Sequence, residues 1–304
     1  MVSRGELVEI GGSFRIPEIL AKSGARLREV GTTNRTRLAD YARAVGPETG
    51  VLLRVHASNY RIVGFVESVP LEDLAGLARE RSIPLVVDEG SGNLHDLQAV
   101  GIDGEPTVGA ILAGGADLVT FSGDKLLGGH QAGILVGKPD LVDILKSNPL
   151  SRALRVDKMT LAALEGTLLA HRRGTHGRDL PVQAMMMMPL GELQKRVERF
   201  AEKIRRAVGD RLEVKLEPGE SVIGGGAAPA TSIPTRLIAL KPVEGKVSRL
   251  CEDLRNGNPP VITRSSRDSV LVDLRTVPEG REDAFLEVIR SAMEKPAAAG
   301  KVRR

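Results

Sequence analysis

Short apolar runs alternate with amphipathic segments through the first half of the chain, and this alternation restricts the possible folds strongly. Residues 51–56, 85–87, 118–121 and 134–136 are typical of buried strands. Residues 71–81, between the first two runs, repeat apolar side chains at helical spacing. Strands that alternate with helices predict an α/β fold with a mainly parallel sheet.

Two of these predicted strands are followed by residues that suit one particular cofactor. Asp88 follows the run at 85–87, and Lys125 follows the run at 118–121, 37 residues after Asp88. That separation leaves room for one crossover helix, which would bring both groups to the same edge of a parallel sheet. A lysine that forms a Schiff base and a carboxylate that keeps the ring nitrogen protonated are what pyridoxal phosphate (PLP) requires. Ser122, three residues before the lysine, is placed to bind the cofactor phosphate.

Each of these residues also has an ordinary interpretation. A lysine after a strand is commonly a solvated loop residue, and an aspartate there is commonly a turn or helix cap. Spacing alone leaves both interpretations open, because one fold carries many functions.

Composition excludes several classes of protein. The 304 residues are 41% hydrophobic, enough for a full core, and include no tryptophan and two tyrosines, so base-stacking platforms are scarce. Cys251 is the single cysteine, which rules out internal disulfides and cysteine-based zinc sites, and we predict no metal ligands. No apolar run reaches membrane-spanning length and no signal peptide opens the chain, so we expect no membrane partner and a cytoplasmic protein. The net charge of +4 permits an anionic partner.

The segment pattern predicts four regions. Residues 1–172 form a large PLP-binding domain, and the polar, glycine-rich start of 173–188 indicates a linker. Residues 189–294 mix strand and helix patterns and predict a small α+β domain. Residues 295–304 are expected to be a disordered tail.

Longer segments carry a family resemblance. The chain resembles the bacterial selenocysteine synthases, L-seryl-tRNA(Sec) selenium transferases, which are PLP enzymes of the aspartate-aminotransferase-like fold type I. The similarity covers nearly the whole chain, in residues 3–17, 29–36, 122–129, 131–133, 149–165, 224–226, 254–262 and 273–277.

The resemblance implies a β-replacement on a tRNA-borne serine. Seryl-tRNA(Sec) would lose hydroxide to give a dehydroalanyl intermediate, to which selenium from selenophosphate adds. Lys125 would hold PLP and shuttle the proton, Asp88 would pair with the pyridinium nitrogen, and Asn59 would face the ring hydroxyl. His56 could lie near the ring or be structural.

An arginine pair is the candidate site for the selenium donor. Arg152 and Arg155, three apart on an expected helical turn, would point to one side and bind a tetrahedral anion, which is how the resemblance assigns them. Without the resemblance, two surface arginines would be the simpler interpretation. Arg15 is a further candidate for contact with phosphate or the tRNA end.

The chain also departs from the family pattern. It begins inside that pattern, so we expect a fragment or a mis-started reading frame that lacks a tRNA-gripping domain and a phosphate-binding loop, with poor solubility and no activity alone. Glu89 stands where an apolar residue is expected, and His130 where a proline is common. The family implies a homo-oligomer, a ring of dimers. The alternatives are a related PLP lyase or transferase acting on a small amino acid or amino sugar phosphate, and an inactive fragment.

Overall fold

The computed structural model describes residues 1–10, 12–266 and 268–294 as two compact units. Unit 1 comprises Met1–Ala184 together with Ile223–Thr231, and unit 2 comprises Met185–Val222 and the chain from Ser232 onward. The short segment Ile223–Thr231 therefore belongs to unit 1, although it lies between two strands of unit 2. The predicted tail, 295–304, lies outside the described residues.

Unit 1 is built on a six-stranded, mostly parallel sheet. Its spatial order is β4-β1-β5-β6-β7-β8, with parallel pairing throughout except between β7 and β8. A two-stranded antiparallel pair, β2 with β3, stands apart from it. The strands are β1 Val2–Ser3, β2 Glu9–Ile10, β3 Phe14–Arg15, β4 Glu29–Val30, β5 Leu52–Val55, β6 Leu85–Gly90, β7 Leu118–Ser122 and β8 Gly133–Gly137.

The register of the central strands positions the candidate site. Asp88 on β6 pairs with Val55 on β5 and with Thr120 on β7. Parallel strands end at a common edge, so residues that follow β5, β6 and β7 meet there. Leu52, Leu85 and Val119 are fully buried and anchor these strands in the core.

Helices complete unit 1. The crossover from β6 to β7 contains α4, as the spacing of Asp88 and Lys125 predicts. Residues 173–188, expected to be a linker, contain two short helices, α8 and α9. The helices are α1 Ile16–Lys22, α2 Leu38–Ala44, α3 Leu71–Glu80, α4 Val108–Ala113, α5 Pro139–Ser147, α6 Pro149–Ala153, α7 Lys158–Arg172, α8 His176–Asp179 and α9 Pro181–Met187.

Unit 2 packs helices on a four-stranded antiparallel sheet of order β11-β12-β10-β9. The long helix α10 contributes most to its core, because Leu193, Val197, Phe200 and Ile204 recur at helical spacing and are fully buried. Its elements are α10 Leu190–Val208, β9 Leu212–Val222, β10 Ser232–Pro242, α11 Val247–Arg255, β11 Arg264–Ser265, β12 Val270–Asp273 and α12 Glu282–Glu294.

Among the described residues, no helix has both the length and the apolar character needed to cross a bilayer.

Candidate active site

The loop that carries Lys125 is fixed by backbone hydrogen bonds. Leu126 and Leu127 are buried, and the Leu126 amide donates to the carbonyl of Ser91, which follows β6, over 2.9 Å. The Gly128 amide closes the turn on the carbonyl of Lys125 at 3.0 Å. These bonds fix the backbone at the lysine and just after it, so its position is set by the sheet edge.

Asp88 lies on β6 with its carboxyl beside the lysine. Thr120 on β7 donates its hydroxyl to Asp88 Oδ1 over 3.0 Å. Burial raises the pKa of the Asp88 carboxyl, while the bond from Thr120 and the charges of Lys125 and His56 oppose that rise. The carboxyl is thus oriented, half-shielded from water and close to two cationic or ionisable groups.

Glycines leave space around the lysine amine. A Cβ on Gly226 would lie 3.1 Å from Lys125 Cε and 3.2 Å from Nζ, and a Cβ on Gly90 would lie 3.9 Å from Nζ. Both glycines adopt positive φ, +92° and +78°, which L side chains rarely adopt. Gly226 comes from the segment Ile223–Thr231, which therefore reaches the lysine within unit 1.

A second group, centred on Glu105, borders the same region. His56 Nε2 lies 3.2 Å from Glu105 Oε2, which also accepts from the Ala228 amide at 3.1 Å. The Glu105 side chain is only 2% exposed. Burial acts to raise its pKa, but the hydrogen bonds and charge around it, those of His56 foremost, together outweigh burial and leave the pKa below its ordinary value.

A cavity of 280 Å³ opens beside this group, lined by His56, Glu105, Tyr60, Arg61 and Ala228 among others. Its wall combines a carboxylate, an imidazole, a phenol and a guanidinium. Sequence reasoning missed Glu105 and Thr120 as members of the site. The glycine run at 224–226 indicated that its own segment is important, but nothing in the sequence indicated a role for Glu105.

Glu89, expected to be apolar by family resemblance, is a fully buried acceptor. Its carboxylate binds the Ser91 hydroxyl, the Gly92 amide at 2.6 Å and the Asn93 amide at 3.5 Å. Burial raises the pKa of Glu89, and these donors oppose the rise. The side chain thus shapes the turn after β6, whose Ser91 carbonyl holds the lysine loop.

The other predicted residues lie in varied surroundings. Ser122 ends β7, opposite Gly133 on β8, three residues before the lysine. Asn59 donates its amide to the carbonyl of Glu9 at 2.7 Å. Arg15 is exposed and pairs with Glu9 at 2.6 Å and Glu18 at 3.3 Å, and Glu9 above all raises its pKa. His130 is exposed, and its ring lies 3.2 Å from the Gln131 carbonyl.

The expectation that Arg152 and Arg155 share a helical turn is wrong. Helix α6 ends at Ala153, so Arg152 lies in its last turn and Arg155 lies beyond it. The helix ends there, and Asp157 caps the next one by accepting from the amides of Met159 and Thr160. Both arginines are exposed, and neither forms a side-chain hydrogen bond or ion pair with any residue that the structure describes.

Comparison with known proteins agrees with the fold. A solved structure of D-glucosaminate-6-phosphate ammonia-lyase superposes with a TM-score of 0.60 at 18% identity, over 96% of this chain and 70% of that one. The fold is that of the PLP-dependent enzymes of fold type I, the aspartate-aminotransferase-like class.

Sequence relatives define the family more narrowly. Residues 1–278 match the family model described as SelA: L-seryl-tRNA selenium transferase. The chain is 50% identical over 301 residues to the L-seryl-tRNA(Sec) selenium transferase of Solidesulfovibrio magneticus, covering 98% of this chain. It is 47% identical to that of Moorella thermoacetica, covering 99%. The chain therefore belongs to the L-seryl-tRNA selenium transferase family, and it spans 64% of the length of both relatives.

Proposed function

We propose that the chain carries the PLP-binding part of an enzyme that converts seryl-tRNA(Sec) to selenocysteinyl-tRNA(Sec) with selenophosphate. The observation that carries this proposal is the juxtaposition of Asp88 and Lys125 at one sheet edge, in a chain of this family. The cofactor requires an amine and a buried carboxylate, and Lys125 and Asp88 supply these two groups.

The residues present fit the cofactor. Gly90 and Gly226 leave open the volume beside Lys125 Nζ, where a side chain would crowd the amine. Lys125 would hold the aldehyde carbon, the Asp88 carboxylate would accept a hydrogen bond from the protonated ring nitrogen, and Ser122 would bind the phosphate. When bound, PLP supplies a ring that withdraws electrons from the α-carbon of the substrate.

The chain's own groups then position and move protons. Lys125 would serve as the base for the α-proton and would return a proton to the leaving hydroxide. Thr120 keeps the Asp88 carboxyl in one orientation through its 3.0 Å hydrogen bond. Asn59 is a further candidate for the ring hydroxyl, although its amide is engaged by the Glu9 carbonyl and would have to exchange partners.

The selenium donor is assigned to Arg152 and Arg155. Their support is the family resemblance, together with exposed guanidinium groups that have no carboxylate partner among the described residues. Arg15 is a weaker candidate, because Glu9 and Glu18 already neutralise it.

The remaining partners follow from this assignment. Seryl-tRNA(Sec) is the substrate, and we place the reaction in the cytoplasm, where aminoacyl-tRNA is used. We also propose a homo-oligomer, supported by the apolar side chains of Val63 and Phe65, which are 86% and 84% exposed. Light scattering coupled to size-exclusion chromatography tests this, and a strictly monomeric protein would contradict it.

Labelling of the cofactor lysine tests the central assignment. The protein is incubated with PLP, reduced with borohydride, and the modified peptide is located by mass spectrometry. We expect the label on Lys125 and its loss in Lys125→Ala. The control is Lys146→Ala, because Lys146 is exposed and forms an ion pair with Asp143. Label on another lysine would refute the assignment.

Donor use tests the arginine assignment separately. In a protein extended to the full length of its relatives, Arg152→Ala and Arg155→Ala should weaken product formation from seryl-tRNA(Sec) and selenophosphate but leave the dehydroalanyl stage intact, since elimination needs no donor. Lysine in place of either arginine should restore product formation only partly. The lysine ammonium is a point charge and cannot bind an anion through two parallel hydrogen bonds as an arginine does. Unchanged selenophosphate use in the double alanine variant would make them ordinary surface arginines.

A further inference from the structure

Three of the five histidines in the chain come together in unit 1. His95, His171 and His176 each offer a ring nitrogen, and these atoms lie within 4.8 Å of one another. The rings of His95 and His176 stack with centroids 4.0 Å apart, and that of His171 stacks 5.1 Å from each. His171 and His176 are each 9% exposed, while His95 is half-buried.

The hydrogen bonds of the cluster fix one tautomer. His171 Nε2 lies 2.8 Å from the Leu127 carbonyl, which can only accept, so this nitrogen carries the proton. In the neutral ring His171 Nδ1 is then an acceptor, and it receives the Nε2 proton of His95 over 2.9 Å. The lone pair of His171 Nδ1 therefore points into the cluster.

These hydrogen bonds do not account for the third ring of the cluster, that of His176. His176 Nδ1 is buried and has no hydrogen-bond partner among the described residues. An unpaired buried polar atom destabilises the folded protein, because it has lost its hydrogen bonds to water without gaining a partner. Burial also lowers the pKa values of His95 and His176, which favours neutral rings with free lone pairs.

We propose that His95, His171 and His176 bind one divalent transition-metal ion, with zinc as the physiological candidate. Imidazole nitrogens suit zinc, nickel, cobalt and copper, whereas calcium and magnesium prefer oxygen ligands, which this cluster does not supply. A ligand histidine usually donates its other N–H to a carbonyl, and His171 already does so at Leu127. The half-buried His95 provides the entry side, where a water completes four-coordination.

Binding requires a local adjustment of the rings. A tetrahedral zinc ion with bonds of about 2.0–2.1 Å needs ligand nitrogens about 3.4 Å apart. The three rings must therefore turn out of their stack and close on the ion. His95 gives up its Nε2 proton, and its neutral ring keeps the other tautomer, with the proton on Nδ1.

The site would also support the lysine loop. The Leu127 carbonyl that His171 holds lies two residues after Lys125, and the Leu126 carbonyl is held by Gln183. The proposal does not depend on the proposed function, because metal binding is measured without cofactor or substrate.

Calorimetry with zinc chloride on the tag-free chain tests the site directly. We expect one equivalent bound by the unaltered protein. His176→Phe keeps an aromatic ring in the stack and removes both nitrogens, and we expect it to weaken binding at least about 100-fold, since even outer-shell partners are worth 10–100-fold. His130→Phe, which alters an exposed histidine outside the cluster, is the control and should bind as the unaltered protein does.

A second measurement needs no variant. X-ray absorption of the zinc-loaded, unaltered protein should show three imidazole nitrogens at about 2.0–2.1 Å. Fewer than three imidazoles, no saturable binding, or equal affinity in His176→Phe would each overturn the proposal.

Discussion

At the scale of single residues, Asp88 is the position where a substitution best separates the effect of charge from the effect of side-chain size. Asp88→Asn keeps the side-chain size but cannot hold a ring nitrogen protonated. We expect Lys125 to be labelled as before by PLP and borohydride. In a protein extended to the full length of its relatives, we expect turnover of seryl-tRNA(Sec) to fall on the order of 100-fold or more. Labelling by mass spectrometry and single-turnover product formation measure the two effects.

Asp124→Asn is the matched control for this prediction. Asp124 is exposed and directly precedes the lysine, so the variant removes one negative charge next to Lys125 without changing Asp88. If both variants lose activity equally, the loss of a negative charge near the lysine, and not the loss of the partner of the ring nitrogen, is responsible.

Glu89 gives a residue-scale prediction about stability. Glu89→Leu leaves the Ser91 hydroxyl and the Gly92 and Asn93 amides without their acceptor in a buried turn. We expect a loss of about 3 kcal/mol in the free energy of unfolding, measured by urea titration. Glu89→Gln keeps one acceptor oxygen and should lose less. A leucine variant as stable as the parent would show that the turn does not need the carboxylate.

The sequence predicts Lys125 and Asp88 because each follows a recognisable strand. It does not predict Glu105, which reaches His56 across 49 residues of chain, nor the contact of Thr120 with Asp88 across 32 residues. Such pairs depend on sheet register, and one sequence carries no direct signal of register.

At the scale of elements, the segment Ile223–Thr231 is the part of the site most sensitive to backbone change. Gly226→Ala puts a Cβ 3.1–3.2 Å from the end of Lys125 and strains a φ of +92°. Strain of about 1–3 kcal/mol, concentrated at the amine, should weaken PLP binding about tenfold or more. Cofactor titration followed by absorbance measures the change.

Gly225→Ala is the control next to it. A Cβ added at Gly225 would meet no described atom within 4 Å, and the residue does not have a positive φ. The same added methyl group should therefore leave PLP affinity unchanged. Equal losses in both variants would mean that the segment does not press on the lysine.

The helices and strands predicted from the sequence agree with most elements of the structure, because the apolar residues of these elements recur with a clear period. The arginine pair shows where this fails. A spacing of three residues predicts that both arginines share one helical turn, but Asp157 caps a new helix and separates Arg155 from α6. Likewise, glycines at 224–226 indicate a loop, but composition cannot say which unit that loop joins.

At the scale of the whole molecule, folding places ionisable groups where charge is costly, and this links stability to pH. Glu6 follows β1, the two-residue strand between β4 and β5 that sequence patterns did not reveal. Burial raises the pKa of Glu6 to about 7, although the charge of Arg54 and a hydrogen bond from the Val55 amide oppose the rise. The corresponding pKa in an unfolded chain is 4.5.

The direction of the pH dependence follows from this raised pKa. Below pH 4.5 Glu6 is protonated in both states; between 4.5 and about 7 the unfolded chain releases the proton and the folded one retains it. The Glu6 contribution to stability is therefore fully present at low pH and is lost as the pH rises to about 7. Its size is about 2–4 kcal/mol, from 1.36 kcal/mol per pKa unit.

Glu6→Gln should remove this dependence, because the amide does not titrate yet can still accept from Val55. Urea unfolding of parent and variant at about pH 4.5, 5.5, 6.5 and 7.5 should show the variant gaining about 2–4 kcal/mol relative to the parent across the series. Glu18→Gln, a change at an exposed carboxylate paired with Arg15, should show no such trend. A constant difference between Glu6→Gln and the parent would mean that Glu6 is ionised in the folded protein throughout, because water or Arg54 compensates its burial.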